Sequence, residues 1–383
     1  MAKIIHTADL HLATGDDKDY GLSVLDEIIG LCGAERADAL VISGDLFDSF
    51  ADFSALRREV CARLEPLVKA GCEVVYIPGN HESLGDRPDQ GGIARNRCRE
   101  HCDRPDLSKY DLKPLRFQAE LPFSLLELKG VEFLCVPHAA SYDNYRDWAV
   151  PAKKAGAVRV ALAHALNSTI FTGPDPEDQS RAGIIDDNFF TRFAVDYAAL
   201  GHVHAGRQQL LGGALACYPG SPRVWRAHSR EAGQKTVRLV DTAGSPVNIR
   251  RLELKSAGQY REYALPLGPD SLVPERPVSK LILELEKPDL VTVRLSGFVD
   301  DEKAARAAAD ALRERLAPMV RRAAVELDTR VAAEISANSL AKAFLEGMEA
   351  ARPSDGDEAA MSKWLLARQY GLEELAGRLG EGA

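Results

Sequence analysis

The sequence predicts an α/β layered domain, followed by a smaller α+β domain and a helical tail. Three observations carry this reading. Short apolar runs each end in a polar cluster, amphipathic patterns lie between several of them, and the texture changes near Gln259. KIIHT (3–7) leads into ADLH, ALVIS (39–43) into GDLFD, and EVVYIP (73–78) into GNHE. EFLCVP (132–137) leads into His138, RVALA (159–163) into His164, and YAAL (197–200) into GHVH. Runs of this length, rich in Val, Ile and Leu, read as buried strands. Open α/β sheets bind ligands beyond the carboxyl ends of their strands, where these polar clusters fall.

The remaining elements follow in order. Val24, Leu25, Ile28, Ile29 and Cys32 share one helical face, as do Leu56, Val60, Leu64 and Leu67. Residues 207–255 read as antiparallel strands with turns at Gly212-Gly213 and Gly220-Ser221-Pro222. KLILELEKPDLVTVRLSGFV (280–299) reads as a hairpin, the stretch from Asp300 as a helix with an acidic start, and AVELDTRV (324–331) as a strand. From Ser336 two amphipathic helices flank ARPSDGDE (351–358). One presents Leu340, Phe344, Leu345 and Met348, the other Met361, Trp364, Leu365 and Leu372. Such stripes suit packing on the parent domain as well as a partner. The expected domains are 1–257, 258–332 and 333–383.

With 383 residues the chain exceeds the usual size of one domain. Its 45% hydrophobic and 27% charged residues are ordinary for a soluble protein. No run of about 18 apolar residues indicates a membrane span. MAKIIHTADLHLA interrupts its apolar residues with Asp9 and two histidines, unlike a secretion signal. Seven scattered cysteines suit free thiols, and the expected location is the cytoplasm. A net charge of −9 argues against a general nucleic-acid coat protein, yet residues 207–255 hold nine basic residues against three acidic ones.

The strand-end groups are Asp9 and His11, Asp45, Asn80 and His81, His164, then His202 and His204. Carboxylate, amide and imidazole donors without cysteine suit Mn²⁺, Fe²⁺ or Zn²⁺. With His81 set aside, these ligands exceed the needs of one ion and suffice for two if one carboxylate bridges. Two ions about 3.5–4 Å apart clamp the attacking and leaving oxygens of a phosphoryl transfer. In GHVH, residues i and i+2 of an extended segment point the same way, so His202 and His204 can each reach an ion.

In this order, DLH, GDLFD, GNHE, His164 and GHVH resemble the five signature motifs of the calcineurin-like metallophosphoesterases. The resemblance spans roughly residues 3–255 and implies a four-layer α/β/β/α sandwich around a di-metal site. IIHTADLHL, ISGDLFDS, YAALGHVH and YPGSP (218–222) look like the bacterial SbcD-type and YhaO-type members, a branch of DNA double-strand-break repair exonucleases and endonucleases. In that branch the segment after about residue 259 corresponds to a DNA-capping domain. The helical tail corresponds to the part that binds an SMC-like ATPase of the SbcC/YhaN type, and members often form homodimers. By position, one ion falls to Asp9, His11, Asp45 and His204, and the other to Asp45, Asn80, His164 and His202. Mn²⁺ is the family's usual ion. His81 corresponds to the proton donor to the leaving oxygen, a role suited to imidazole chemistry near neutral pH.

Asp48 stands where archaeal and eukaryotic relatives carry a second phosphate-contacting histidine, as in bacterial members. Its alternatives are orientation of His81 or of a metal ligand, and a helix N-cap. Arg207, Arg223 and Arg226 are the candidate DNA contacts. The segment 82–121 is long and charged, with Arg87, Arg95, Arg97, Arg99 and Arg104 among interspersed acids; it reads as a solvated loop-helix insertion, with a DNA-contacting insertion as the alternative. Cys98, His101 and Cys102 lack a second cysteine pair for zinc. The competing functions are a small-molecule phosphodiesterase acting on cyclic nucleotides or nucleotide sugars, and a DNA-end-binding scaffold with a residual site.

Overall fold

A computed structural model describes residues 2–83, 105–139, 141–142, 144–170, 183–228, 231–336, 338–354 and 357–380. The arginines at 87, 95, 97, 99 and 104, and the Cys98, His101, Cys102 group, lie outside the described residues. The chain divides into two compact units, one of residues 1–226 and 230–259, the other of 227–229 and 260–383.

The first unit opens with β1 (Lys3–Thr7), α1 (Lys18–Glu35), β2 (Ala39–Ser43), α2 (Phe50–Lys69), β3 (Glu73–Ile77) and α3 (Asn80–Ser83). Then come β4 (Arg116–Phe117), β5 (Ser124–Leu128), β6 (Val131–Val136), β7 (Val158–His164), β8 (Leu166–Asn167), β9 (Ile184–Ile185) and α4 (Asp187–Arg192). It closes with β10 (Tyr197–Gly201), β11 (Arg207–Leu211), β12 (Ala214–Tyr218), β13 (Thr236–Asp241) and β14 (Asn248–Glu253). Two six-stranded sheets result, ordered β14-β13-β1-β2-β3-β4 and β11-β12-β10-β7-β6-β5.

Strand alternation explains the layers. Ile4, Val41 and Val75 of the first sheet meet Phe133, Leu162 and Ala199 of the second in the inner core. The alternate residues Ile5, Leu40 and Val74 pack under α1 and α2, where Val24, Leu25, Ile28, Leu56, Val60 and Leu64 face inward. On the second sheet's outer face, Ala161 and Leu200 pack beneath Phe189 and Phe190 of α4 together with Tyr145 and Trp148. The layers are therefore α/β/β/α, the fourth formed among the described residues by the short α4 and an aromatic cluster. Burial on both faces explains why these strands read as continuous apolar runs. The antiparallel pairs expected in 207–255 are β11 with β12 and β13 with β14.

The second unit runs β15 (Tyr260–Pro266), α5 (Glu275–Glu284), β16 (Leu290–Val299), α6 (Glu302–Leu316) and β17 (Arg322–Val331). It ends with α7 (Ala332–Ile335), α8 (Ser339–Ala350) and α9 (Glu358–Gly380). The three strands pair in parallel, in the order β15-β16-β17. The hairpin expected at 280–299 is corrected: its first arm is the end of α5. Alternation at Leu281, Leu283 and Leu285 suggested a strand, but Leu283 is 86% exposed, while Val278 and Leu281 are buried and Ile282 and Leu285 pack beside them. That spacing is helical. Asp301 caps α6 by accepting a hydrogen bond from the Lys303 backbone N–H. The tail helices pack within this unit. Leu372 joins Phe298 and Ala332, Trp364 Nε1 donates to the Met348 carbonyl at 2.6 Å, and Arg368 donates to the Phe298 carbonyl at 2.6 Å. Among the described residues no helix is long and apolar enough to cross a membrane.

Candidate metal centre

The loops leaving β1 and β2 run side by side. Asp9 N–H donates to the Gly44 carbonyl at 3.1 Å and His11 N–H to the Asp45 carbonyl at 3.0 Å. Asp9, His11, Asp45 and His202 adopt left-handed backbone conformations, with φ of 56°, 48°, 48° and 98°. Non-glycine residues in this region are strained, and such strain clusters at functional sites. Gly44 has φ 91°, and a Cβ there would lie 2.1 Å from His164 Nδ1. Glycine is what lets the histidine approach the loop.

The side chains converge in two groups bridged by a third. Asp9, His11 and His204 form one, Asp45, His164 and His202 the second, and His11, Asp45 and His81 the bridging set, each with donor atoms within 4.8 Å of one another. Asn80 joins the second, its Oδ1 lying 2.9 Å from His164 Nε2 and 3.0 Å from His202 Nδ1. The groups touch where His11 Nε2 lies 3.0 Å from His204 Nε2 and 4.0 Å from Asp45 Oδ2. Backbone N–H groups aim both carboxylates: His202 donates to Asp9 Oδ1 and His81 to Asp45 Oδ1, each at 2.9 Å. His164 Nδ1 lies 2.8 Å from the Ser43 carbonyl. Since a carbonyl only accepts, Nδ1 carries the proton and Nε2 faces the site.

Apart from His81, all seven of these side chains are buried. Burial works against ionisation of Asp45, yet the surrounding imidazoles of His164, His81 and His11 hold its carboxyl well below the usual range. Burial pushes Asp9 upward, against the pull of His164 and His204. Burial also works downward on His164, but Asp45 and Asp9 carry it up to about 9. The proton on His164 thus stands in for positive charge that two buried carboxylates require. His11 is pushed well below its usual value by burial and by His81 and His204, which keeps it neutral. Imidazole nitrogens, an amide oxygen and carboxylate oxygens fit a pair of divalent ions once the second proton of His164 is released.

His81 is half-buried at the edge of this cluster, with Nδ1 2.6 Å from the Asp48 carbonyl. By the same reasoning Nδ1 donates and Nε2 is directed elsewhere. Of the two alternatives for Asp48, the N-cap is excluded: Ser49 caps α2 by accepting from the Asp52 N–H. Asp48 instead places a carboxylate oxygen 3.3 Å from His11 Nδ1. Arg207 is exposed at the start of β11, and the exposed Arg226 guanidinium carbon lies 3.7 Å from the Trp225 ring centroid. Arg223 offers no surface contact. It is 1% exposed, lies 5.6 Å from the Tyr20 ring, and its charge acts on His11 and Asp48 from within. His138, another strand-end histidine, is buried with its ring 6.1 Å from that of His164.

Three residues at the centre carry no sequence signal of their role. Trp225 packs against the rings of His11, His204 and His81, with centroids 5.1 Å from His204 and 5.6 Å from His81. Glu231 lies 3.2 Å from His204 Nδ1 and accepts from Lys235 at 2.6 Å. Glu82 is fully buried and accepts from Phe47 N–H, Tyr76 O–H and Gly79 N–H at 2.8–2.9 Å. It ties the β2 and β3 loops together. Its carboxyl is pushed up to about 7, by burial first and the nearby Asp45 second.

The family profile described as calcineurin-like phosphoesterase matches residues 2–206. Similar curated proteins include the DNA double-strand break repair protein Mre11 of Sulfurisphaera tokodaii, 24% identical over 275 residues, covering 67% of this chain and 64% of the relative. The SbcD polypeptide of the SbcCD nuclease from Escherichia coli K12 is 26% identical over 242 residues, covering 57% and 60%. The uncharacterized metallophosphoesterase YhaO of Bacillus subtilis 168 is 25% identical over 268 residues, covering 64% and 58%. Each alignment spans less than two thirds of the relative's own length.

Proposed function

The chain belongs to the calcineurin-like phosphoesterase family, and on that premise we propose that it is a Mn²⁺-dependent DNA nuclease. It hydrolyses backbone phosphodiesters, as exonuclease and endonuclease, in double-strand-break repair. The observation that carries this reading is the convergence of seven buried donors in two touching groups, with His81 beside them. Relatives named for break repair and for the SbcCD nuclease support a DNA substrate.

Asp9, His11, Asp45 and His204 would hold one ion, and Asp45, Asn80, His164 and His202 the other. Mn²⁺ is preferred over Fe²⁺ or Zn²⁺. Bound ions would supply Lewis acidity and a water activated near neutral pH. The chain supplies the rest. Backbone N–H groups fix the two carboxylates, the Ser43 carbonyl fixes the tautomer of His164, and the Asp48 carbonyl takes the Nδ1 proton of His81. In the doubly protonated imidazole the Nε2 proton of His81 is then available to the departing oxygen. Residues 1–257 form the nuclease domain, 258–332 a DNA-capping domain, and 333–383 the segment that engages an SMC-like ATPase of the SbcC/YhaN type. A homodimer is the proposed working assembly.

The test is His81→Ala on linear DNA with Mn²⁺. The rate falls by roughly 10²–10⁴-fold while metal content stays unchanged. A wild-type rate at unchanged metal content removes His81 from the chemistry.

A further inference from the structure

Beside His204 lies a cavity of about 430 Å³, lined among others by Gly206, Gly220, Lys235, Arg238 and Arg251. Arg238 on β13 and Arg251 on β14 are directly opposed in the antiparallel register. Like charges in that relation destabilise a strand pair. The neighbouring cations are neutralised: Lys235 lies 2.6 Å from Glu231, and Arg250 lies 2.7 Å from Glu35. Among the described residues, neither Arg238 nor Arg251 has a carboxylate oxygen within 4.0 Å. Glu253 lines the same cavity without pairing with either.

Arg238 is only 3% exposed, and a buried cation without a counter-charge is costly. Its side chain meets the Thr236 hydroxyl and the Cys217 thiol, both uncharged, so no counter-charge offsets the guanidinium. A Cβ on Gly206 would lie 2.6 Å from Arg238 Nη2, so the guanidinium rests against bare backbone at the cavity wall. Two guanidinium forks and a backbone-lined floor match the oxygens of a phosphate group.

We propose that this cavity is an anion subsite in which Arg238 and Arg251 hold a phosphate oxyanion next to the metal centre. Two sources share this chemistry. One is a strand phosphate neighbouring the one that reacts, which rests on the nuclease reading. The other is a free phosphate or phosphate monoester.

The test is calorimetric titration of the EDTA-treated full chain with inorganic phosphate. The wild type binds, and Arg251→Gln, a change at an exposed position, weakens binding about tenfold or more. At a fixed concentration phosphate correspondingly raises the Tm of the wild type more than that of the variant. Absence of binding by the wild type, or equal affinity in both proteins, overturns the proposal. A second arm uses Mn²⁺-loaded protein on DNA with single neutral methylphosphonates flanking the cut. If the occupant is a strand phosphate, these slow the wild type about tenfold and slow Arg251→Gln no further. If they slow neither while phosphate binding still depends on Arg251, the occupant is the free anion. Arg251-dependent phosphate binding by a protein that cleaves no DNA leaves the subsite standing and removes the nuclease reading.

Discussion

The indole of Trp225 lies flat against the imidazole of His11, with centroids 4.1 Å apart and planes 9° from parallel. His11 is thereby fixed between this ring and the Asp48 carboxylate, 3.3 Å from its Nδ1. The direction of the Nε2 lone pair depends on that ring plane. Outer partners of metal-binding histidines contribute about 10–100-fold in affinity. Trp225→Ala therefore lowers Mn²⁺ affinity by about tenfold, and Trp225→Phe recovers most of it. Calorimetric Mn²⁺ titration of the three proteins checks this; equal affinities mean that the stack does not position His11.

Glu231 is the outer carboxylate partner of His204. It accepts the Nδ1 proton and is itself held by Lys235. Burial pushes its carboxyl up, but the bonds to His204 and Lys235 bring it below its usual range, so it stays ionised. Glu231→Ala should cost about 10–100-fold in metal affinity, with Glu231→Gln intermediate because its amide oxygen still accepts. Identical Mn²⁺ binding in Glu231→Ala would assign the carboxylate to Lys235 alone.

His6 sets an acid limit on stability away from the ligands. Its Nδ1 meets the Tyr197 hydroxyl at 2.7 Å, and burial, aided by Arg238, lowers its pKa to about 3. The unfolded chain binds a proton at this residue near the ordinary value of 6.5. Between those values the unfolded state holds more protons, so stability rises with pH and is lost on acidification. From about pH 7.5 to about pH 5.5 the loss from this residue is about 1.4 kcal/mol. Urea unfolding of the wild type and of His6→Gln at both pH values isolates it: the variant lacks that increment. Equal pH dependence would mean that His6 protonates in the folded protein.

The strands and their polar ends were legible because each ligand follows a run buried on both faces. Asp9, Asp45, Asn80, His164 and His202 all leave such runs within a few residues. Between β12 and β13 the described residues form no long periodic element, and Trp225 and Glu231 acquire their roles only from tertiary placement. Glu82 sits inside the quoted GNHE, yet its clamp on Phe47 and Tyr76 depends on two other segments. Arg223 read as a surface cation because sequence carries no measure of depth. In the second unit, alternation at Leu281, Leu283 and Leu285 competed with the helical spacing of Val278, Leu281, Ile282 and Leu285, and packing on β16 decided it. The tail's apolar stripe was visible, and much of it, including Trp364 and Leu372, packs within its own unit, while Leu340 is exposed.

The central claim is a two-ion site that cuts DNA. Its most direct test is to incubate the EDTA-treated chain, with and without added Mn²⁺, on end-labelled linear duplex DNA and, in parallel, on a cyclic nucleotide. DNA cleavage should appear only with the ion, be lost in Asp45→Asn, and exceed turnover of the cyclic nucleotide. Hydrolysis of the cyclic nucleotide with intact DNA would contradict the claim and assign the centre to a small phosphodiester.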